Sequence, residues 1–154
     1  MGDPRMRTGS INRQAGASLI EVLVAVLVLS IGFLGIAALQ ALSLSTNNSA
    51  MARSMATIHS YSILDAMRAD AASAKGTAYN VIVTASGCPA ATAELPNAQL
   101  IQWCKQLGAD LGDAATGAIN CGSTGACTIT ITFDDRRGGT DGDSKQTITT
   151  AAML

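Results

Sequence analysis

The chain has 154 residues, of which 48% are hydrophobic, 14% charged and 3% aromatic, with ten Lys and Arg against eleven Asp and Glu. This length accommodates one domain, or one domain with an appendage. A site that follows a nucleic-acid backbone needs a basic face and stacking aromatic side chains. The composition therefore argues against nucleic-acid binding, and no nucleic-acid partner is expected.

A polar basic segment precedes a long apolar one. Residues 1–16 carry Arg5, Arg7 and Arg13, whereas residues 22–39 contain no charged side chain. At a rise of about 1.5 Å per residue, a helix over residues 17–39 extends about 34 Å, enough to cross a hydrocarbon core of about 30 Å. A secretory signal peptide has a shorter apolar region, of about 7–15 residues. The pattern predicts a membrane span that stays with the protein, with its basic end in the cytoplasm and residues from 40 onward in the periplasm or outside the cell.

Glu21 is a carboxylate near the start of this span. An acidic side chain costs about 2.5–3.5 kcal/mol at the centre of a spanning helix and less near its end. One interpretation is that the carboxylate reaches the headgroups and is stabilised by the helix dipole. The interpretation we favour is that the chain is cut after Gly16, so that the ammonium of Ala17, in the same or a neighbouring subunit, pairs with Glu21 and fixes the register of an assembly.

The apolar helix continues as an amphipathic one up to about residue 70. Large side chains recur at steps of three and four, which is the helical period: Met51, Met55, Ile58, Tyr61, Leu64 and Met67. We expect one continuous helix over residues 17–70, whose second half is covered on one side by a small head. The single histidine, His59, is expected to be a half-buried or surface residue and not a catalyst.

Residues 71–154 predict a small α+β head. The segment 71–80 breaks the helix with small residues. Period-two or apolar runs predict strands over residues 81–85, 128–133 and 147–154, and residues 94–107 predict a short helix with Pro96 in its first turn. The last two strands are expected to pair antiparallel across a polar, glycine-rich loop. The expected fold class is thus α+β, with the long N-terminal helix packed on a small antiparallel sheet.

Four cysteines lie beyond the span, at Cys88, Cys104, Cys121 and Cys127. They form no C-x-x-C pair, so a zinc site is not expected. Two disulfides are expected instead, because a small head with few aromatic residues has a thin core. We favour the pairs Cys88–Cys104 and Cys121–Cys127, since each closes a local loop; closing a loop of 15 residues stabilises a domain by about 3 kcal/mol in the chain-entropy model.

The polar loop before the last strand contains a weak calcium candidate, made of Asp134, Asp135, Asp141 and Asp143. These aspartates lack the spacing of an EF-hand loop. A solvated turn balanced by Arg136 and Arg137 is the favoured interpretation. The chain has no catalytic motif for nucleophilic, metal or phosphate chemistry, so no catalytic residue, no cofactor and no enzymatic activity are expected.

The string G-A-S-L-I-E-V-L-V-A-V, residues 16–26, resembles the processing and assembly motif of type IV prepilins, and residues 28–70 resemble minor pilins of the PilV type. The rest of the chain resembles them only in outline, at residues 97–103 and 127–133. One departure is the first residue after the cut, which is usually Phe in the family and is Ala17 here.

The resemblance implies a minor pilin, a structural subunit of the type IV pilus. Residues 1–16 would be a leader removed after Gly16 by a prepilin peptidase, Ala17 the new and N-methylated terminus, and Glu21 the assembly residue. Residues 17–70 would form the helix, with 17–39 in the membrane or filament core, and residues 71–154 the disulfide-stapled head.

The partners and location follow from the same resemblance. The partners would be other minor pilins, the major pilin and an inner-membrane assembly platform. The protein would lie in the bacterial inner membrane before assembly and then in the pilus, where it would help to prime assembly and support twitching motility and adhesion.

Two alternatives stay open. A minor pseudopilin of a type II secretion system shares the leader and the helix. An uncut single-span envelope protein with a ligand- or calcium-binding head belongs to a different class of function.

Overall fold

The computed structural model describes residue 16, residues 18–136 and residues 145–154. The chain divides into two compact units, Met1–Gln40 and Ala41–Leu154. The elements in chain order are α1 (Leu19–Ala69), α2 (Ala71–Lys75), β1 (Val81–Thr84), α3 (Leu95–Leu111), β2 (Thr116–Cys121), β3 (Ala126–Phe133) and β4 (Gln146–Met153). A 3₁₀ turn, Ala85–Gly87, follows β1. The expected α+β class, with a long N-terminal apolar helix and a small antiparallel sheet, is confirmed.

The first unit contains the apolar part of α1. The helix begins where the carbonyl of Ser18 accepts the backbone N–H groups of Glu21 and Val22, at 2.9 and 3.2 Å. The hydroxyl of Ser30 donates to the carbonyl of Val26 at 2.7 Å, so this polar side chain is satisfied within the helix. Within the described residues, α1 is the one helix whose length and composition are sufficient to cross a membrane.

In the second unit, the later part of α1 buries one stripe. Its buried residues recur at helical spacing: Ala56, His59, Ser60, Ile63, Leu64 and Met67. On one side the indole Nε1 of Trp103, from α3, donates to the carbonyl of His59 at 3.1 Å. On another side Cys121, from β2, places its sulfur 3.8 Å from that of Met67. The core of this unit therefore lies between α1, α3 and one face of the sheet.

The four strands form one antiparallel sheet in the order β1-β2-β3-β4. On β3, side chains alternate between the core, where Ile129, Ile131 and Phe133 are buried, and the opposite face, where the threonines lie. The predicted antiparallel pairing of the last two strands is present over the full length of both. This alternation makes the inner face of β3 apolar and buried and leaves its opposite face accessible.

Strand β2 was not predicted from the sequence. Its sequence TGAINC contains a glycine and an asparagine, both of which are depleted in strands. Tertiary packing explains the glycine: a Cβ at Gly117 would lie 2.3 Å from Cη2 of Trp103 and 2.8 Å from Cδ1 of Leu107. The backbone of β2 thus lies directly against the indole of α3, and a side chain at this position would separate the two elements.

Two element boundaries also differ from the sequence predictions. Helix α3 ends at Leu111 and not at residue 107, because its additional turn buries Leu111 and stops at Gly112, which has a φ of 97°. The segment predicted to break the helix, residues 71–80, contains the five-residue helix α2 before the chain turns at Thr77, whose φ is 68°. The small residues therefore do not break the helix where predicted: α1 ends at Ala69, and the alanine-rich residues 71–75 form one further helical turn.

Two disulfides link Cys88 to Cys104 and Cys121 to Cys127. These are the pairs that local loop closure favoured. The first connects the segment after β1 to α3, and the second joins directly opposite residues of β2 and β3. Each disulfide therefore links two segments of the head that also pack against each other.

A partly buried polar cluster connects the segment after α1 to α3. The hydroxyl of Tyr79 donates to Oε1 of Gln99 at 2.5 Å and lies 3.4 Å from Oδ2 of Asp70. The other carboxylate oxygen of Asp70, Oδ1, accepts from the hydroxyl of Ser73 at 2.8 Å. Tyr79 is fully buried. Burial, with a further contribution from the charge of Asp70 and the hydrogen bond to it, raises the pKa of Tyr79 to about 12.

We predict that Gly117→Ala destabilises the head by about 1–3 kcal/mol, because the new methyl group overlaps Trp103 and Leu107. Urea unfolding of the detergent-solubilised protein, followed by the fluorescence of the single tryptophan, measures this. Gly87→Ala is the matched control, since a Cβ there meets nothing within 4 Å. Equal stability of the two variants would contradict the close approach of β2 to Trp103.

We predict that the free energy of unfolding falls between pH 10 and about 12 through Tyr79. Above pH 10 the unfolded tyrosine loses its proton, whereas the folded one keeps it until about pH 12. The unfolded state then binds fewer protons, so stability decreases as pH rises. Tyr79→Phe should lose this part of the decrease, and Tyr61→Phe, at an exposed position, should retain it. The same unfolding assay at several pH values distinguishes them.

Candidate processing and assembly site

The candidate site lies at the start of α1. Gly16 is exposed, and a Cβ added to it meets nothing within 4 Å. Packing in the described chain therefore does not require glycine at this position. The predicted new terminus, Ala17, lies outside the described residues. Both the cut after Gly16 and the methylation of Ala17 stay predictions.

Glu21 lies in the first turn of α1. Its side chain is exposed, and among the residues that the structure describes it has no ion-pair partner. A carboxylate in an apolar environment is stable only when a cation or several donors compensate it. An assembled helix bundle would have to supply that partner from a free N-terminus or from another subunit, and the assembly role of Glu21 stays a prediction.

The surface that follows Glu21 is apolar all round. Its large side chains are all at least half exposed, among them Val22, Leu27, Ile31, Phe33 and Leu39. Gly32 and Gly35 likewise meet nothing within 4 Å when a Cβ is added. An exposed apolar surface of this extent marks contact with lipid or with other proteins. Both glycines leave the helix backbone open to close packing against another helix.

Comparison with known proteins identifies the same region. Residues 11–37 match the family model of the prokaryotic N-terminal methylation motif. The match contains Gly16, Ala17, Glu21 and most of the apolar part of α1. The chain matches no curated protein and no solved structure.

The motif supports a role of the type IV pilin-like or pseudopilin class. In general terms it implies assembly with other pilins and processing by a prepilin peptidase. Together with the long apolar helix, it indicates anchoring in a membrane before assembly.

Of the four aspartates in the weak calcium candidate, the structure describes Asp134 and Asp135. Asp135 is buried; it accepts a hydrogen bond from Ser49 and lies 3.6 Å from the guanidinium of Arg53, both on α1. Asp134 accepts the backbone and side-chain N–H groups of Arg136. Asp141 and Asp143 lie outside the described residues. Within the described chain, no group of three potential ligands is placed to hold a metal.

The contacts of Asp135 and His59 were not predicted from the sequence. Asp135 holds the end of β3 against α1 through Ser49 and Arg53, which are 86 and 82 residues away in the chain. His59 was expected to be half-buried or at the surface, but it is buried, and its Nε2 lies 2.8 Å from Oδ2 of Asp110 on α3. No sequence spacing signals either contact, because both depend on how α1, α3 and β3 pack.

We predict that Glu21→Val is processed normally but enters filaments at least tenfold less than wild type, because the bundled helices lose the carboxylate that fixes their register. The measurement is the ratio of protein in sheared filaments to protein in membranes, with the N-terminus checked by mass. Glu21→Gln tests the charge alone, and the apolar exchange Val22→Leu is the matched control. Normal incorporation of Glu21→Val would disprove the assembly role.

Proposed function

We propose that this protein is a minor pilin of the type IV pilus. It is made as a membrane precursor, cut after Gly16 by a prepilin peptidase, and inserted into the filament through the apolar part of α1. There it acts with other minor pilins and the major pilin to prime assembly, and so supports twitching motility and adhesion. The observation that carries this proposal is the methylation motif at residues 11–37, which includes most of the exposed apolar part of α1.

The apolar surface of α1 is covered differently in the membrane and in a filament. Before assembly, lipid covers it, and Glu21 carries the cost of a carboxylate near the membrane interface. In a filament, the same surface packs against the helices of other subunits, and a neighbouring N-terminal ammonium compensates Glu21. The two environments differ little for the apolar side chains, but the filament supplies a charge partner that lipid lacks. This difference favours transfer of the subunit from membrane to filament.

The head supports a structural rather than a catalytic role. Its buried polar side chains hold elements together: His59 with Asp110, Asp135 with Ser49 and Arg53, and Tyr79 with Gln99. We therefore propose that the protein is not an enzyme. The removal of residues 1–16 leaves seven Lys and Arg against ten Asp and Glu, so the processed subunit is mildly acidic.

A minor pseudopilin of a type II secretion system is the second candidate, because the methylation motif supports both. Immunogold labelling of the head on surface filaments would favour the pilus. Labelling confined to the periplasm would favour the pseudopilin.

The test of the proposal is the N-terminus itself. We expect intact-mass and N-terminal peptide spectra to show a terminus at Ala17, with an added methyl group, when the full chain is expressed with a prepilin peptidase, and an intact chain without it. Gly16→Val is the matched control: it leaves the described packing unchanged and should stay uncut. A wild-type chain that stays whole with the peptidase would instead support an uncut envelope protein.

A further inference from the structure

The outer face of the sheet, opposite to the core, has an unusual composition. We call it the outer sheet face; its residues are Ile82, Thr84, Thr116, Ala118, Asn120, Ala126, Thr128, Thr130, Thr132, Thr147, Thr149, Ala151 and Met153. Seven of these thirteen residues are threonines, and none is charged. Ile82 and Met153 are 78% and 62% exposed, so large apolar side chains at two of its borders are also accessible.

The strand register arranges the threonines in rows. One row crosses all four strands through directly paired residues, namely Thr84, Thr116, Thr132 and Thr147. Within it, the hydroxyls of Thr132 and Thr147 are hydrogen-bonded at 3.1 Å. Thr130 pairs with Thr149 in the next row. Neighbouring threonines in a row are therefore about 4.8 Å apart, and successive ones on a strand about 6.8 Å apart.

The charged groups of this unit lie elsewhere. In the described residues they occupy the helices, the loops and the segments that flank the strands: Arg53, Asp65, Arg68, Asp70, Lys75, Glu94, Lys105, Asp110, Asp113, Asp134, Asp135, Arg136 and Lys145. Recognition of a nucleic acid, an anionic lipid surface or a charged peptide depends on fixed charges of the opposite sign. The outer sheet face supplies none, so its electrostatic complement is a neutral partner.

Size and twist restrict the partner further. Four strands of up to eight residues cover about 14 Å by 27 Å, roughly 400 Å². A stable protein interface buries about 800 Å² on each partner, so this face alone is too small to hold two free chains together as a dimer. Because neighbouring strands rotate by about 20–25°, a rigid flat lattice could contact only part of the face, whereas a flexible chain can follow it.

We propose that the outer sheet face binds a neutral, flexible polysaccharide. Threonine suits this ligand, because its hydroxyl donates to and accepts from sugar hydroxyls while its methyl group contacts the apolar faces of the rings. Its branched side chain also has little rotamer freedom to lose on binding. A single contact between a threonine and a sugar is weak, but many subunits binding along one polysaccharide chain raise the avidity. The proposal gives a ligand class to the adhesion in the proposed function, but binding by the solubilised chain does not depend on assembly.

The experiment measures retention of the detergent-solubilised full-length chain on beads that carry dextran, galactomannan or dextran sulfate. Dextran and dextran sulfate share a backbone and differ in charge, so the pair isolates the electrostatic argument. We expect retention on at least one neutral polymer and at least threefold less on dextran sulfate. The double variant Thr128→Val and Thr149→Val keeps the branched shape but removes two hydroxyls. Its affinity for the neutral polymer should be lower than that of wild type by roughly fivefold or more.

Thr57→Val is the matched control, because Thr57 is exposed on α1 and its hydroxyl bonds within the helix; it should bind like wild type. The proposal is overturned if neither neutral polymer retains the chain, if dextran sulfate retains it equally, or if the double variant binds like wild type. Dimerisation that the double variant abolishes would also overturn it and identify a self-interface.

Cleavage and filament entry of the double variant, measured separately, should be normal, so failure of binding and failure of the pilin role are distinguishable.

Discussion

The apolar surface of the first part of α1 is the constraint on which the molecule depends. Nothing in the described chain covers it: the side chains from Leu19 to Leu44 are exposed, and so is Glu21. Apolar burial stabilises by about 25 cal/mol per Å², so a surface of this kind is always covered in the cell, by lipid or by protein. A helix built to have two alternative covers, first a membrane and then a bundle, explains both the uninterrupted apolar sequence and the single carboxylate at its start.

The head has to be stable without a large core, and its structure shows how this is done. Trp103 packs on the bare backbone of Gly117 and donates to the carbonyl of His59, so one side chain connects α1, α3 and β2. The two disulfides cross-link segments that are already in contact. The tryptophan adds buried contacts, and the disulfides lower the conformational entropy of the unfolded chain, so the small core has less entropy to overcome on folding.

The two faces of the sheet have different roles, because successive side chains along each strand point to opposite faces. Its inner face supplies the apolar side chains that hold the end of α1, and its outer face is a charge-free surface of threonine rows. Because side chains alternate strictly along a strand, the TITIT pattern of β3 serves both faces at once. The part of the chain that holds the head together therefore also determines which surface it presents.

The sequence alone determined the local features. The basic N-terminal segment, the apolar run with Glu21 and the alternation in β3 are visible because periodicity and composition act over neighbouring residues. The helical period also located the buried Leu64 and Met67, but Met51, Ile58 and Tyr61 of the same predicted stripe are more than half exposed. Short loops also favoured the disulfide pairs that the structure contains. Only the tertiary structure decided the rest, namely strand β2, the extra turn of α3, the partners of Asp135 and the alignment of threonines from four strands. Each depends on residues far apart in the chain, and no local pattern records which of them will meet.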